Sequence, residues 1–196
     1  MYQVTVDSTE KLIPLADFKE FARITSSVAT DEQLMEVLID GAIKYCEKYT
    51  GLSIASKTYQ KVWQWKDSCK LWAEYFELRK GVVTSITSIE ENYRDGNTDT
   101  YDLTNIQIDN YKQRTDVYLN GAYFKLGTHP TRPLVITFVA GWTKTTLPND
   151  LRTAIMQLAL YWYENRETMQ IMDETNIAEM PFGTSTILNI YKLARL

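Results

Sequence analysis

Apolar residues recur at helical spacing in three parts of the chain, and the longest such stripe lies in the C-terminal third. Its members are Leu151, Ile155, Leu158 and Trp162. Spacings of four, three and four place them on one face of a helix that begins near residue 147 and ends near Glu164. Pro148 suits the first turn, and Asp150 places a carboxylate beside the positive end of the helix dipole. The pattern predicts a long amphipathic helix with one buried face.

Two segments near the N-terminus also have helical spacing. Residues 15–24, LADFKEFARI, follow Pro14 and predict a short amphipathic helix. Residues 31–50 predict a second helix, whose apolar side comprises Leu34, Leu38, Ala42, Tyr45 and Tyr49, widened by Val37, Ile39, Ile43 and Cys46. Thr30 with Gln33 resembles a capping box at its start, and Gly51 stands where a left-handed C-terminal stop belongs.

A short terminal helix is predicted after the turn at Pro181-Phe182-Gly183. Thr184 or Ser185 can cap it. Its apolar residues are Ile187, Leu188, Ile190, Tyr191 and Leu193. A helix of this length is marginal alone, so it must lie on a surface.

Between the second and third helices the character of the chain changes to β. Residues 53–141 are rich in threonine, tyrosine, valine and isoleucine, often in alternation. Strands are predicted near 57–66, 71–79, 84–92, 100–107, 115–119, 122–126 and 133–140. Asn120-Gly121 predicts a tight hairpin between residues 118 and 123.

These elements predict an α+β fold in one domain. A small bundle of two N-terminal helices, one long helix and a short C-terminal helix is formed by residues 12–52 and 147–196. A large antiparallel β insertion over residues 53–146 stands between the second and third helices.

Composition narrows the function classes. The chain has 196 residues, of which 44% are apolar and 23% charged, which suffices for a single buried core. A net charge of -4 argues against a protein that coats nucleic acid. There is no membrane-length apolar run and no signal-peptide pattern at the start, so we expect a soluble protein made in the cytoplasm, without a membrane partner. Cys46 and Cys69 are expected to be free thiols.

The sequence shows no group of residues in a pattern typical of a catalytic or metal-binding site. His129 is the only histidine and is interpreted as a turn residue. Glu164 and Glu167 share a helical face, which leaves open a carboxylate metal site of a metal-dependent hydrolase, but a solvated face is the favoured interpretation. We therefore expect no enzyme activity, no cofactor and no metal.

Aromatic residues are concentrated in the β half, where alternation places about half of them in the core. The others suit contacts between protein copies, since tyrosine and tryptophan are enriched at interfaces. The residues assigned to such an interface are Tyr93, Tyr101, Tyr111, Tyr118 and Tyr123. The alternative is a carbohydrate- or cell-wall-binding module, in which these rings stack on sugars.

The order of several segments resembles the head-tail connector (adaptor) family of tailed bacteriophages. The segments that carry the resemblance are LIDGAIKYCEKYTG, ITFVAGW, LPNDLRTAIMQLALYWYENRE and MPFGTSTILNIYKLAR. The most telling parts are Ala140-Gly141-Trp142 before Pro148, residues 162–167 (WYENRE) at the end of the long helix, and the turn at Pro181-Phe182-Gly183 before Leu188 and Tyr191. The resemblance spans nearly the whole chain.

The resemblance implies a structural role in the neck of a virion. Family members form a ring, commonly of twelve copies, beneath the portal protein. The ring receives the stopper or tail completion protein on its other side, and DNA passes through its lumen without sequence-specific binding. The residues expected to meet the portal are Ile190, Tyr191, Lys192, Leu193, Arg195 and Leu196. Residues 191–196 are further expected to be dispensable for folding.

Overall fold

Helices flank a strand-rich middle section, and one strand precedes them all. The computed structural model describes residues 2–25, 28–63, 75–111, 114–119, 129–165 and 180–193. The helices are α1 (Leu15–Phe21), α2 (Ala29–Thr50), α3 (Asn149–Glu164) and α4 (Phe182–Tyr191). The strands are β1 (Tyr2–Val6), β2 (Lys57–Trp63), β3 (Tyr75–Leu78), β4 (Val83–Asn92), β5 (Thr98–Thr100), β6 (Ile106–Asn110), β7 (Thr115–Leu119) and β8 (Leu134–Ala140). The predicted α+β class with an antiparallel β section is confirmed, and the strands form two sheets.

The chain divides into two compact units. The strand unit comprises Met1–Thr9 and Ala55–Trp142, and the helical unit comprises Glu10–Ile54 and Thr143–Leu196. The assignment of residues 1–196 to one domain stays a prediction.

Two antiparallel sheets build the strand unit. The larger sheet has the order β1-β2-β8-β4-β5, and the smaller has the order β3-β7-β6. In the larger sheet β8 is central, and consecutive residues Leu134, Val135 and Ile136 are all buried, as expected for a strand covered on both faces. One apolar cluster joins residues of both sheets, namely Tyr59, Trp63, Phe76, Leu78, Val83, Ile89, Val117, Leu134, Ile136, Phe138 and Ala140. The two sheets therefore share a core.

The helical unit buries the stripe predicted for its longest helix. Leu151, Ile155, Leu158 and Trp162 on α3 are all buried, so the predicted core face is confirmed. Trp162 meets Tyr45 of α2 edge to face, with ring centroids 5.8 Å apart. One member of the predicted α2 face is wrong, because Val37 is 66% exposed.

The predicted helix starts differ from those in the structure. Helix α2 begins at Ala29 with Val28 as its N-cap, so the capping box at Thr30 and Gln33 is wrong. Helix α4 begins at Phe182 after Pro181, so Thr184 and Ser185 lie inside it and do not cap it. In both cases an extended residue without a side-chain cap starts the helix. At the end of α2, Gly51 has a φ of 81°, which confirms the predicted left-handed stop.

Two strand assignments also change. Strand β1 was not predicted; it pairs antiparallel with β2, and its Tyr2 hydroxyl accepts a hydrogen bond from the Arg79 N–H at 2.8 Å. The strand predicted at 100–107 is wrong, because the Asp102 carboxylate accepts the Thr104 N–H at 2.9 Å and caps a 3-10 turn at Leu103–Asn105. The predicted strand at 122–126 and the Asn120-Gly121 turn lie outside the described residues.

Gly141 is the position where the backbone leaves no room for a side chain. Its φ is 114°, and a Cβ placed on it would lie 2.2 Å from the carbonyl oxygen of Ala55. Its N–H donates to the carbonyl of Val82 at 3.0 Å, and the next residue, Trp142, forms a parallel bridge with Ala55. Only glycine satisfies both the positive φ and this approach.

Substitution of Gly141 by alanine should destabilise the protein severely. The strained φ and the collision with Ala55 add to each other, so we expect a loss of more than about 4 kcal/mol, or insoluble protein. Gly96→Ala is the matched control, because Gly96 also has a positive φ, 89°, but nothing lies within 4 Å of its Cβ position. That control should lose only about 1–2 kcal/mol in chemical denaturation. Similar losses of stability for both variants would show that the close approach of Gly141 to Ala55 does not contribute to the effect.

Candidate interaction surfaces

The small sheet turns one face away from the core of the strand unit. Phe76, Leu78 and Val117 belong to the core cluster, so the side chains that alternate with them lie on the opposite face. This face, which we call the outer sheet face, comprises Tyr75, Glu77, Gln107, Asp109, Asp116 and Tyr118.

Three carboxylates form a row across the outer sheet face. Glu77 of β3 is the direct partner of Asp116 of β7, which in turn is the direct partner of Asp109 of β6. Like charges directly opposite each other destabilise a sheet. Two arginines counter part of this charge: Arg79 binds Glu77 at 3.0 Å, and Arg114 reaches Asp116 at 3.4 Å and Glu77 at 3.8 Å.

Asp116 is the least satisfied member of the row. Its residue is only 3% exposed, and its Oδ1 receives no hydrogen bond within the described part of the chain. Burial raises the pKa of its carboxyl above the ordinary value, Arg114 opposes this rise, and Glu77 and Asp109 add to it. The fold therefore buries a carboxyl group that the described residues do not fully satisfy.

Aromatic rings surround this row. Tyr75 and Tyr118 lie side by side on the outer sheet face, with centroids 5.2 Å apart and planes tilted by 33°. Tyr111 follows β6 and is exposed, with the Arg114 guanidinium 5.3 Å from its ring centroid. The structure thus brings two of the five predicted interface tyrosines, Tyr111 and Tyr118, to one surface.

Two other predicted interface tyrosines belong to the β4–β5 hairpin. The Tyr93 hydroxyl donates to Asp99 at 3.1 Å, and the Tyr101 hydroxyl donates to Glu91 at 3.3 Å. Desolvation, together with the hydrogen bond to Asp99, raises the pKa of Tyr93 to about 12, so the hydroxyl stays protonated and remains a donor. Tyr123 lies outside the described residues.

The same hairpin concentrates negative charge. Residues 90–102 contain five acidic residues and one arginine, a net charge of -4, which equals the net charge of all 196 residues. The acidic residues are Glu90, Glu91, Asp95, Asp99 and Asp102. The remainder of the chain is therefore neutral in sum.

Helix α4 contains no charged side chain, and its end divides into buried and exposed residues. Tyr191 is 5% exposed, and its hydroxyl donates to Asp150 at 2.6 Å, which raises the pKa of the tyrosine in addition to the larger effect of burial. The Leu193 N–H donates to the Thr50 carbonyl at 2.9 Å. The expectation that residues 191–196 are dispensable for folding is therefore wrong at Tyr191 and Leu193. Ile190, by contrast, is 55% exposed.

The remaining residues of the predicted C-terminal contact are Lys192, Arg195 and Leu196. The Lys192 ammonium lies 4.6 Å from the ring centroid of Tyr49, while Arg195 and Leu196 lie outside the described residues. The geometry thus leaves Ile190 and Lys192 as the described residues of the predicted contact that face outward.

His129 organises a turn. Its Nδ1 accepts the backbone N–H of Arg132 at 3.0 Å and that of Thr131 at 3.3 Å, which agrees with the turn interpretation. Glu167 lies outside the described residues, and the described residues hold no group of three side chains arranged to bind a metal ion. No helix in the described ranges is long and apolar enough to cross a membrane.

Sequence reasoning missed the carboxylate row. Glu77, Asp109 and Asp116 are spread over three strands, and only the register of the sheet brings them together. The predicted strand at 115–119 contains Asp116, but the sequence offers no sign of which strands lie beside it.

Comparison with known proteins gives one family match and several structural matches. A family model described as head completion protein matches residues 11–194. Among solved structures, the chain is similar to a chain in the neck of an empty gene transfer agent (GTA) particle computed with C6 symmetry, with a TM-score of 0.76 and 20% identity. It is also similar to chains in the neck of the native particle computed with C12 symmetry (TM-score 0.73, 21% identity) and in the virion of the native particle (TM-score 0.72, 20% identity). Each match covers 100% of this chain and 97% of the other. At these identities the structural matches show a shared fold. No curated protein matches the sequence.

Asp116→Asn should stabilise the isolated protein at neutral pH. The substitution removes the buried charge, and its amide donates toward the neighbouring carboxylates, so we expect a gain of about 1–3 kcal/mol at pH 7. Because the folded pKa of Asp116 is raised above 3.8, the wild-type penalty is absent well below pH 3.8, grows as pH rises from 3.8 toward the folded pKa, and is complete above it. The difference in melting temperature between variant and wild type should therefore vanish near pH 3.5.

Asp40→Asn is the control, because Asp40 is exposed on α2 and the substitution should change stability by less than about 0.5 kcal/mol. A less stable Asp116→Asn variant at pH 7 would show that Arg114 satisfies Asp116 after all.

Tyr191→Phe should destabilise the helical unit by about 1–2 kcal/mol, because it removes a hydrogen bond from a buried hydroxyl to a carboxylate. Tyr49→Phe is the matched change, since its hydroxyl donates to Asn189 at 2.8 Å in an exposed position, and it should lose less than half as much. Urea denaturation of both variants measures the difference. Equal losses would mean that the Asp150 contact does not hold the end of α4.

Proposed function

Because the chain belongs to the head completion protein family, we propose that it is a structural protein of the neck of a phage or phage-like particle. The observation that supports this proposal is the family match over residues 11–194, which includes nearly all of both units. In this role copies of the chain form a ring between the head and the tail and extend the channel through which DNA passes.

The proposed ring has twelve copies. Chains similar in fold occur in particle necks computed with C6 and with C12 symmetry. A twelvefold ring contains sixfold symmetry, so one arrangement accommodates both.

The C-terminal helix is the proposed contact with the portal protein. Ile190 is an exposed apolar side chain on a helix without charges, and Lys192 follows it at the exposed end. Burial of Ile190 against another protein would stabilise the contact by removing apolar surface from water. Arg195 and Leu196 extend the same contact. The tyrosine-bearing surfaces of the strand unit then remain for neighbouring copies and for the stopper or tail completion protein.

The acidic hairpin of residues 90–102 suits a channel that DNA crosses without binding. Twelve copies at -4 each give a formal ring charge of -48. Acidic side chains within about 10 Å of the phosphates would repel them, whereas DNA-binding proteins neutralise phosphates with lysine and arginine. A protein that lines such a channel therefore needs no contact with the DNA bases.

Ile190→Asp should leave a folded protein that no longer joins heads carrying the portal, because it places a charge in an apolar contact. We expect tailless, DNA-filled heads to accumulate and infectious or transducing particles to fall by about tenfold or more. Counting particles by electron microscopy, with the protein located at the neck, measures both effects.

Val37→Asp is the matched control, because Val37 is an equally apolar and even more exposed residue on α2. It should assemble normally. If both variants assemble like the wild type, the portal assignment of α4 fails, and if the protein is absent from purified particles, the structural role itself fails.

A further inference from the structure

We infer that the edge strand β1 of one copy pairs with the edge strand β5 of the next copy, so that the two ends of the five-stranded sheet meet between neighbouring copies. This inference rests on the proposed function, because it names the lateral contact of the proposed ring. It specifies which backbone edges and which charges lie between one copy and the next.

The five-stranded sheet has two edge strands. In the described part of the chain, β1 pairs only with β2, and β5 pairs only with β4. All three residues of β5 are exposed, and so are residues 3–6 of β1. An edge strand presents a row of backbone N–H and C=O groups that a strand of another chain can complete. Each copy therefore offers two different edges of one sheet.

Strand β1 lacks most of the features that keep edge strands apart. Charged side chains, prolines and bulges usually protect such edges. Residues 2–6 contain no charged side chain and no proline, and Val4 and Val6 are 46% and 60% exposed. A bulge shifts the register between Val4 and Val6, so Tyr2, Gln3 and Val4 pair regularly with β2. This leaves a regular edge of three residues, the same length as β5.

The two ends of the sheet carry opposite charge. At the β1 end two ammonium groups lie over the ring of Tyr2, with Lys61 at 5.0 Å and Lys80 at 5.5 Å from its centroid. Lys57 adds little there, because its ammonium lies 3.4 Å from the Asp7 carboxylate. At the other end, β4 and β5 carry three carboxylates and no basic side chain, namely Glu90, Glu91 and Asp99.

The carboxylates at the β5 end gain from an incoming cation. Asp99 is the direct cross-strand partner of Glu91, and like charges directly opposite each other destabilise a sheet. The hydroxyls of Tyr93 and Tyr101 donate to Asp99 and Glu91, but a hydroxyl brings no positive charge. Asp99 is exposed, so an ammonium group of a neighbouring copy can approach it.

The charge pattern selects a head-to-tail contact between copies. Pairing of two β1 edges would bring lysines against lysines, and pairing of two β5 edges would bring carboxylates against carboxylates. Only the combination of β1 with β5 brings unlike charges together. A contact between two different surfaces is heterologous, and such a contact closes into a ring when the rotation allows it.

The net charge of -4 on each copy does not outweigh this contact. Neighbouring strands lie about 5 Å apart, within the screening length of about 8 Å at physiological salt, so charges at the contact act more strongly than charges spread over the copy. Asp95, in the turn before β5, lies outside the paired strand. The tip of the acidic hairpin therefore remains available to the channel.

Cysteine crosslinking in assembled particles tests the inference. Gln3→Cys and Thr98→Cys are combined in one chain, in which Cys69→Ser removes one native thiol and Cys46, the other, is buried. A short bis-maleimide should join copies into a ladder of dimers, trimers and longer products, because every copy then carries both halves of the contact. The two single variants are the matched controls, and each should give at least about tenfold less product, since only one half of the contact is then labelled.

Substitution of Gln3 tests the charge argument separately. Gln3 is exposed in the middle of the three-residue edge, so Gln3→Glu and Gln3→Lys should melt like the wild type and differ from each other only in charge. Gln3→Glu should reduce incorporation into necks by about fivefold, because it opposes the carboxylates of β5, whereas Gln3→Lys should not reduce it. Asp99→Lys, added to Gln3→Glu, should restore incorporation. A loss that Asp99→Lys leaves unchanged would overturn the pairing of the two edges.

Each crosslinking outcome decides the matter. Dimers from either single variant would show that like edges pair, and a product with a different protein would assign the edge to the portal or to a stopper; both results overturn the inference. No ladder from the double variant, with the protein present in necks, would overturn it as well and leave the proposed function standing. Absence of the wild-type protein from purified particles would instead refute the proposed function, and the inference would fall with it.

Discussion

The strand unit depends on the close approach of two backbone segments at Gly141 and Ala55. Ala55 begins the long section of this unit and Trp142 ends it, and the two residues pair directly. From this point β2 and β8 run on in continuous register, from Lys57 opposite Ala140 to Trp63 opposite Leu134. A long β section can stand between two helices because its ends meet, so no long connection has to close the gap. Gly141 is the residue that allows this meeting.

The parts of the fold that the sequence predicted are those set by short-range periodicity. The stripe of α3 is buried as predicted, since a spacing of four, three and four selects one helix face whatever covers it. The resemblance to connector proteins is confirmed by the family match over residues 11–194. The predicted N-cap residues are wrong because Thr30 and Ser185 carry side chains that favour caps but lie inside their helices. The N-cap residues in the structure, Val28 and Pro181, make no side-chain cap hydrogen bond.

The sequence predicts the parts of the candidate surfaces that can be recognised from single residues, without knowledge of strand pairing. Exposed tyrosines indicated an interface, and Tyr111 and Tyr118 do lie on one surface. The carboxylate row needs the register of three strands, which no local pattern contains. The expected exposure of Tyr191 is wrong for a different reason. A position near the terminus favours exposure, but the Tyr191 ring is buried and its hydroxyl donates a hydrogen bond to Asp150.

The end of helix α4 places a buried and an exposed side chain next to each other. Tyr191 is 5% exposed and its hydroxyl donates to Asp150, whereas Ile190 beside it is 55% exposed. A helix without charged side chains gains affinity for another protein from apolar burial, which is non-directional and tolerates some adjustment against a large partner. One step along the helix therefore separates a side chain that stabilises the fold from one that another protein can cover.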